Sequence, residues 1–126
     1  MLKHPKSPGD FQTAYIAVGS NLGRRRANCC AGIRLLAETP GCRLTARAPC
    51  YRTAPVGYLD QNWFVNTVVR IETVLSPEAL LSRLKAIETE VGRRPGAIRY
   101  GPRVLDMDLL LYEDRIADLP GLAVPH

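Results

Sequence analysis

The sequence contains no apolar run approaching the roughly 20 residues that a membrane-spanning helix needs. Its opening segment, residues 1–13 (MLKHPKSPGDFQT), is polar and holds two prolines but no apolar stretch of the kind a secretory signal carries. It is read as an N-terminal extension before a domain over 14–126, and the cytoplasm is the expected compartment. Cysteine is sparse and badly spaced for metal: Cys29, Cys30, Cys42 and Cys50 have no histidine near them, and an adjacent pair is not a usual ligand spacing. Four cysteines are also few for a disulfide scaffold, so they are expected to be reduced, mostly buried and to behave as small apolar residues. Internal repeats and low-complexity tracts are missing, which excludes solenoids and arrays.

What is present suits one soluble domain with one core. The chain has 126 residues, 46% hydrophobic and 23% charged, with a formal charge of +5. That charge favours an anionic partner without choosing between nucleotide and nucleic acid.

Along the chain, residues 14–19 (AYIAVG) are apolar and β-prone, closed by Gly19-Ser20-Asn21. Residues 24–38 place Cys29, Ile33 and Leu36 at helical spacing, and Pro40-Gly41 ends that segment. Residues 43–53 read as a strand of mixed polarity. Residues 63–73 (WFVNTVVRIET) read as another, rich in Val, Ile and aromatics. The link between them, through Gly57, Tyr58, Asp60 and Gln61, is too long for a tight turn and is a candidate functional loop.

Ser76-Pro77-Glu78 has the chemistry of a helix start: a capping hydroxyl, a proline at the first helical position and an acid at the positive dipole end. Leu80, Leu84, Ile87 and Val91 then form one stripe, and Gly92 ends it. A basic loop follows over 93–103 (RRPGAIRYGPR), then a last strand over 104–112. The order βαββαβ predicts an α+β, ferredoxin-like sandwich: an antiparallel sheet of four strands with both helices on one face. That fold hosts many activities and argues for none.

The chemistry is concentrated in Leu105-Asp106-Met107-Asp108-Leu109. Strand alternation puts Asp106 and Asp108 on one face, with Cα atoms about 6.5 Å apart. Two carboxylates side by side on a strand repel, and a hard divalent cation offsets that repulsion. Mg²⁺ suits such a pair because it takes one or two protein carboxylates and fills its shell with phosphate oxygens. A solvated acidic face, or pairing with nearby arginines, is the alternative. Arg93, Arg94, Arg99 and Arg103 lie just upstream. Guanidinium forks match phosphate oxygens, so acids and arginines together supply what phosphoryl-type transfer requires.

The run Arg99-Tyr100-Gly101-Pro102-Arg103-Val104-Leu105-Asp106-Met107-Asp108 resembles the signature of the 6-hydroxymethyl-7,8-dihydropterin pyrophosphokinases. Ala14 to Gly23 (AYIAVGSNLG) resembles that family's opening strand and turn. Tyr51 to Gly57 (YRTAPVG), with Phe64 and Asn66, resembles its pterin-binding stretch. Leu122 to His126 (LAVPH) resembles the segment whose histidine contacts ATP. The likeness implies transfer of diphosphate from ATP to 6-hydroxymethyl-7,8-dihydropterin in folate biosynthesis, giving AMP and the pterin diphosphate, with two Mg²⁺ ions.

It further implies that Asp106 and Asp108 bind both ions and that Arg93 and Arg103 contact the triphosphate, the four forming the catalytic set. Glu88, Ile98, Arg99 and His126 would complete the ATP site, and Thr53, Pro55, Val56, Gly57, Phe64 and Asn66 the pterin site. Blander readings stand beside these: an exposed helix charge for Glu88, a structural hydrogen bond for Asn66, core packing for Phe64. Arg24-Arg25-Arg26 has no family role and reads as a solvated basic turn. Family members continue past the histidine matched by His126, which leaves a second expectation: a shortened member that binds Mg-ATP or pterin without turnover. RNA binding, suggested by the shared βαββαβ order, is opposed by two aspartates on the last strand. The expected partners are ATP and the pterin, without nucleic acid or membrane, on a monomer.

Overall fold

The computed structural model describes residues 10–54, 62–92 and 104–113. Its elements are β1 (Gln12–Ser20), α1 (Arg25–Ala37), β2 (Cys42–Arg47), β3 (Tyr51–Thr53), β4 (Phe64–Thr73), α2 (Pro77–Gly92) and β5 (Asp106–Tyr112). β1 begins at Gln12, two residues before its apolar stretch, because Gln12 and Thr13 still pair with Thr73 and Glu72 of β4.

The protein is α+β, with an antiparallel sheet ordered β2-β4-β1-β5 and β3 also paired to β4. Among the described residues there are five strands, where the sequence suggested four. The single strand expected over 43–53 is two pieces laid end to end along β4. β2 pairs as far as Arg47 with Val69, Ala48 N–H still donates to Val68 O, and pairing resumes at Tyr51 with Asn66. Pro49 sits at the break, where it has no N–H to give to the ladder.

Strand alternation sends Ala14, Ile16 and Val18 of β1, Val69 and Ile71 of β4, and Met107 and Leu109 of β5 into one core with both helices. α1 contributes Cys29, Ile33 and Leu36, and α2 contributes Leu80, Leu84 and Ile87, so the two predicted stripes are the buried faces. Ser76 Oγ accepts the N–H of Ala79 at 3.1 Å, capping α2 as its sequence suggests. α1 has no such help. Arg24 makes no side-chain cap, no acid stands in the first turn, and Arg25 and Arg26 oppose the dipole. Burying its stripe, at about 1.5–3 kcal/mol per large apolar side chain, outweighs a capping deficit of about 1 kcal/mol. α1 is thus held by packing rather than by its own ends.

The cysteines depart from expectation. All four are free thiols, but only Cys29 is buried; Cys30 is exposed, and Cys42 and Cys50 are intermediate. Successive helix residues point about 100° apart, so seating Cys29 in the core turns Cys30 outward.

Candidate active site

The face of the sheet away from the helices carries the polar residues singled out above. Gly19 of β1 pairs with Asn66 on one side and Asp106 on the other, and Ala17 pairs with Asp108. Asn66, Gly19 and Asp106 therefore form one row across three strands. Neighbouring strands lie about 4.8 Å apart, so the Cα atoms of Asn66 and Asp106 are about 10 Å apart across the glycine. β1 offers only Ala17 and Gly19 there, a low floor between the side chains of β4 and β5.

Gly19 is required by its neighbours. A Cβ on it would meet Asn66 Oδ1 at 2.8 Å and Phe64 Cδ1 at 3.4 Å. Asn66 leans over this floor while its Nδ2 donates to Thr53 Oγ1 at 2.8 Å. The amide therefore has a structural partner, and its oxygen stands above Gly19. Phe64 is half-buried and shares the face of Asn66, outside the helix-facing core. Two of the pterin-matched residues, Phe64 and Asn66, thus meet over Gly19, and a third, Thr53, bonds Asn66 from the β3 side.

The start of β4 is tied to the turn after β1. Asn21 is only 1% exposed and its Nδ2 donates to Asn62 O at 3.1 Å. Arg25 Nη1 donates to Trp63 O at 2.8 Å. Asn28 Nδ2 donates to Leu22 O at 2.9 Å and to Ser20 Oγ at 3.3 Å, shaping the turn itself. Sequence reasoning passed over Gly19, Asn21, Arg25 and Asn28 as site-building residues. The available signal was the Gly-Ser-Asn triplet closing a strand. The triple-arginine turn also borders a cleft of about 420 Å³ with Gly23, Ala27 and Val65, and no residue matched to the family's site lines that cleft.

Asp106 and Asp108 are half-buried on β5. Glu88 of α2 reaches the peptide between them: its Oε2 accepts the N–H of Met107 at 2.7 Å and lies 3.4 Å from Lys85 Nζ. Its side chain is 16% exposed, which overturns the reading of an exposed helix charge. Burial pushes the Glu88 carboxyl above its ordinary range, and Asp106 adds to the rise, against the pull of the Met107 N–H and Lys85.

The donor set fits a hard divalent cation: carboxylate oxygens two residues apart on one face of a strand. Among the described residues no three acidic, histidine or cysteine side chains gather to enclose a metal. A cation at the pair would take its other ligands from elsewhere, as Mg²⁺ does with phosphates. Pro55, Val56, Gly57, Arg93, Ile98, Arg99, Arg103 and His126 lie outside the described residues.

A strand with two carboxylates on one face thus stands beside a small-residue floor overhung by the Asn66 amide. Residues 15–126 match the family described as 7,8-dihydro-6-hydroxymethylpterin-pyrophosphokinase, and the chain belongs to that family. It is similar to proteins named 2-amino-4-hydroxy-6-hydroxymethyldihydropteridine pyrophosphokinase. That of Pseudomonas aeruginosa is 44% identical over 116 residues, spanning 92% of this chain and 71% of the relative. That of Methylorubrum extorquens is 43% identical over 113 residues, spanning 90% and 71%. The Bacillus subtilis protein is 41% identical over 113 residues, spanning 90% and 67%.

Proposed function

We propose that this protein transfers diphosphate from ATP to 6-hydroxymethyl-7,8-dihydropterin, releasing AMP and the pterin diphosphate in folate synthesis. The observation that carries the reading is the row Asn66–Gly19–Asp106, which sets the pterin-matched residues against the acidic pair with only a glycine between. The family membership supports the same reaction.

In this reading Asp106 and Asp108 hold two Mg²⁺ ions together with the triphosphate. When bound, the ions neutralise the charge of the phosphates and make the β-phosphorus more open to attack. Glu88 holds the Met107 peptide and with it the spacing of the two carboxylates, rather than touching ATP directly. Asn66, fixed by Thr53, offers its amide to the hydrogen-bonding edge of the pterin, Phe64 provides an apolar wall, and Gly19 leaves the acceptor room to lie close to the strand. Pro55, Val56 and Gly57 line the same ring. Arg93, Arg99 and Arg103 clamp the triphosphate by bidentate bonds, while Ile98 and His126 contact the nucleotide.

The frame is the ferredoxin-like sandwich, to which the strand order lends support, with the second strand broken at Pro49. Among the described residues no helix is long and apolar enough to cross a membrane. The proposal includes a cytoplasmic monomer that needs neither nucleic acid nor membrane.

The test is AMP formation from ATP and Mg²⁺ in the presence and absence of the hydroxymethylpterin, with Asp108→Ala alongside. Pterin-dependent AMP that disappears in the variant supports the reading. AMP formed without pterin, or retained in Asp108→Ala, overturns it.

A further inference from the structure

At the end of the sheet that carries the pterin-matched residues, one residue is held from two sides. Trp63 stands immediately before β4, 49% exposed, and is the only tryptophan in the chain. Its carbonyl oxygen accepts Arg25 Nη1 of α1 at 2.8 Å. Its ring lies under the guanidinium of Arg52 of β3, whose Cζ is 4.5–6 Å territory for a cation–π contact at 5.5 Å from the ring centroid. Trp63 thus joins an arginine of the first helix to an arginine of β3.

Given the reaction proposed above, on which this inference rests, we propose that Arg25, Trp63 and Arg52 form a clasp that positions Asn66 and Phe64 for the pterin.

The connection runs through immediate neighbours. β3 is three exposed residues long and, among the described residues, pairs with β4 alone, ending at Thr53 opposite Phe64. An exposed ladder that short opens readily at its last pair. Arg52 directly precedes Thr53 and Trp63 directly precedes Phe64, so the cation–π contact bridges the two strands beside that pair. Thr53 Oγ1 in turn accepts Asn66 Nδ2 at 2.8 Å, which fixes the amide over Gly19. Release of Arg52 from the ring therefore frees Thr53, and with Thr53 the Asn66 amide.

Arg25 acts at the other end of the clasp. By holding Trp63 O against α1 it sets where β4 begins, and so where Phe64 stands. Cys29, Ile33 and Leu36 anchor α1 in the core and give the clasp a fixed base. None of the three residues has to touch the pterin; they are positioning residues. Arg24, the exposed neighbour of Arg25, makes no side-chain cap and is the control.

The experiment measures AMP formation by the full chain with each substrate varied in turn, well below the melting temperature of each variant. Arg25→Ala and Arg52→Ala are expected to raise the KM for pterin about fivefold, the size of a lost exposed cation–π contact or hydrogen bond. The KM for ATP and kcat should stay within about twofold, as when only acceptor binding is weakened. Trp63→Ala should match Arg52→Ala, and the double variant should be no worse than either single, because ring and guanidinium act as one unit. Trp63→Phe keeps the carbonyl and an aromatic face and should stay near the native value; Arg52→Lys keeps the cation and should recover part of the loss. Arg24→Ala should change nothing. Tryptophan fluorescence of the substrate-free protein reports Trp63 alone and should shift in Arg52→Ala. If Trp63→Ala does not fold, Arg52→Ala and Arg52→Lys, both at an exposed side chain, decide the matter.

An unaltered pterin KM in Arg25→Ala and Arg52→Ala, with turnover of the native chain intact, would overturn the clasp and leave the diphosphate-transfer reading standing. So would equal rises in both KM values, a loss confined to kcat, or fluorescence that does not change in Arg52→Ala. Failure of the native chain to form pterin-dependent AMP would overturn the reaction itself, and the clasp with it.

Discussion

Asn66 of β4 and Asp106 of β5 stand in one row, each in register with Gly19 on the strand between them. One residue proposed to bind the acceptor and one proposed to bind the metal are thus neighbours of the same glycine. The absence of a side chain on that glycine is a structural requirement, since Asn66 Oδ1 already occupies the space at 2.8 Å from a would-be Cβ.

Gly19→Ala should act first on the pterin. The methyl forces Asn66 off its bond to Thr53 or pushes Phe64 aside, because overpacking of this kind costs about 1–3 kcal/mol. The KM for pterin is expected to rise about tenfold, a change of roughly 1.4 kcal/mol, with the KM for ATP nearly unchanged. Steady-state kinetics with each substrate varied in turn checks this. Equal effects on both substrates would contradict the placement of the acceptor over Gly19.

Asp106→Asn and Asp108→Asn should each lower kcat by about a thousandfold, because charge stabilisation of several kcal/mol goes with the ions. Without metal and nucleotide, each change should alter the stability of the fold little, since the amide keeps an oxygen acceptor for the partners the carboxylate has and relieves like-charge repulsion on one strand face. Thermal melting in chelator, set beside turnover in Mg²⁺, separates the two effects. A large loss of melting temperature would mark the aspartates as structural.

Glu88→Ala should cost about 1–2 kcal/mol by leaving the Met107 N–H without its acceptor. It should also reduce turnover by loosening the spacing of the aspartates. Glu88→Gln keeps an acceptor and should restore most of both. If Gln fails where stability is intact, the charge itself is needed, and Glu88 contacts the nucleotide.

The same residue gives a pH dependence. Its carboxyl titrates higher in the folded protein than in the unfolded chain, so the folded state binds more protons across that interval. The stability that Glu88 contributes is therefore fully present below about pH 4.3, the ordinary range of a glutamate, and is lost as pH rises through the raised folded value. Glu88→Gln should flatten this fall. Urea midpoints at several pH values in metal-free buffer measure it; an unchanged slope would assign the dependence to other groups.

Ser76→Ala provides the contrast. Loss of the Ala79 N–H cap on an exposed helix end should cost about 1 kcal/mol. Turnover at low temperature should be unaltered, because α2 remains packed through Leu80, Leu84 and Ile87. Chemical denaturation and a single-temperature assay suffice.

What the sequence by itself determined was local and periodic. The spacings of Cys29, Ile33 and Leu36, and of Leu80, Leu84 and Ile87, are helical, and those residues are the buried faces of α1 and α2. The alternation through Asp106, Met107 and Asp108 determined that both acids share a face, and the paired-acid motif pointed to the family. Tertiary structure decided whatever depends on which strands lie side by side. Only pairing with β4 and β5 puts Gly19 between Asn66 and Asp106, residues far from it in sequence. Only the packing of α2 against β5 brings Glu88 to the Met107 peptide, turning an apparently solvated helix charge into a half-buried acceptor. Pro49 was visible from the start, but its effect required a partner strand: a missing N–H interrupts a ladder only where a ladder exists. Composition and period act within a few residues, whereas register is set by the burial of whole faces against each other, and the candidate site is made of register.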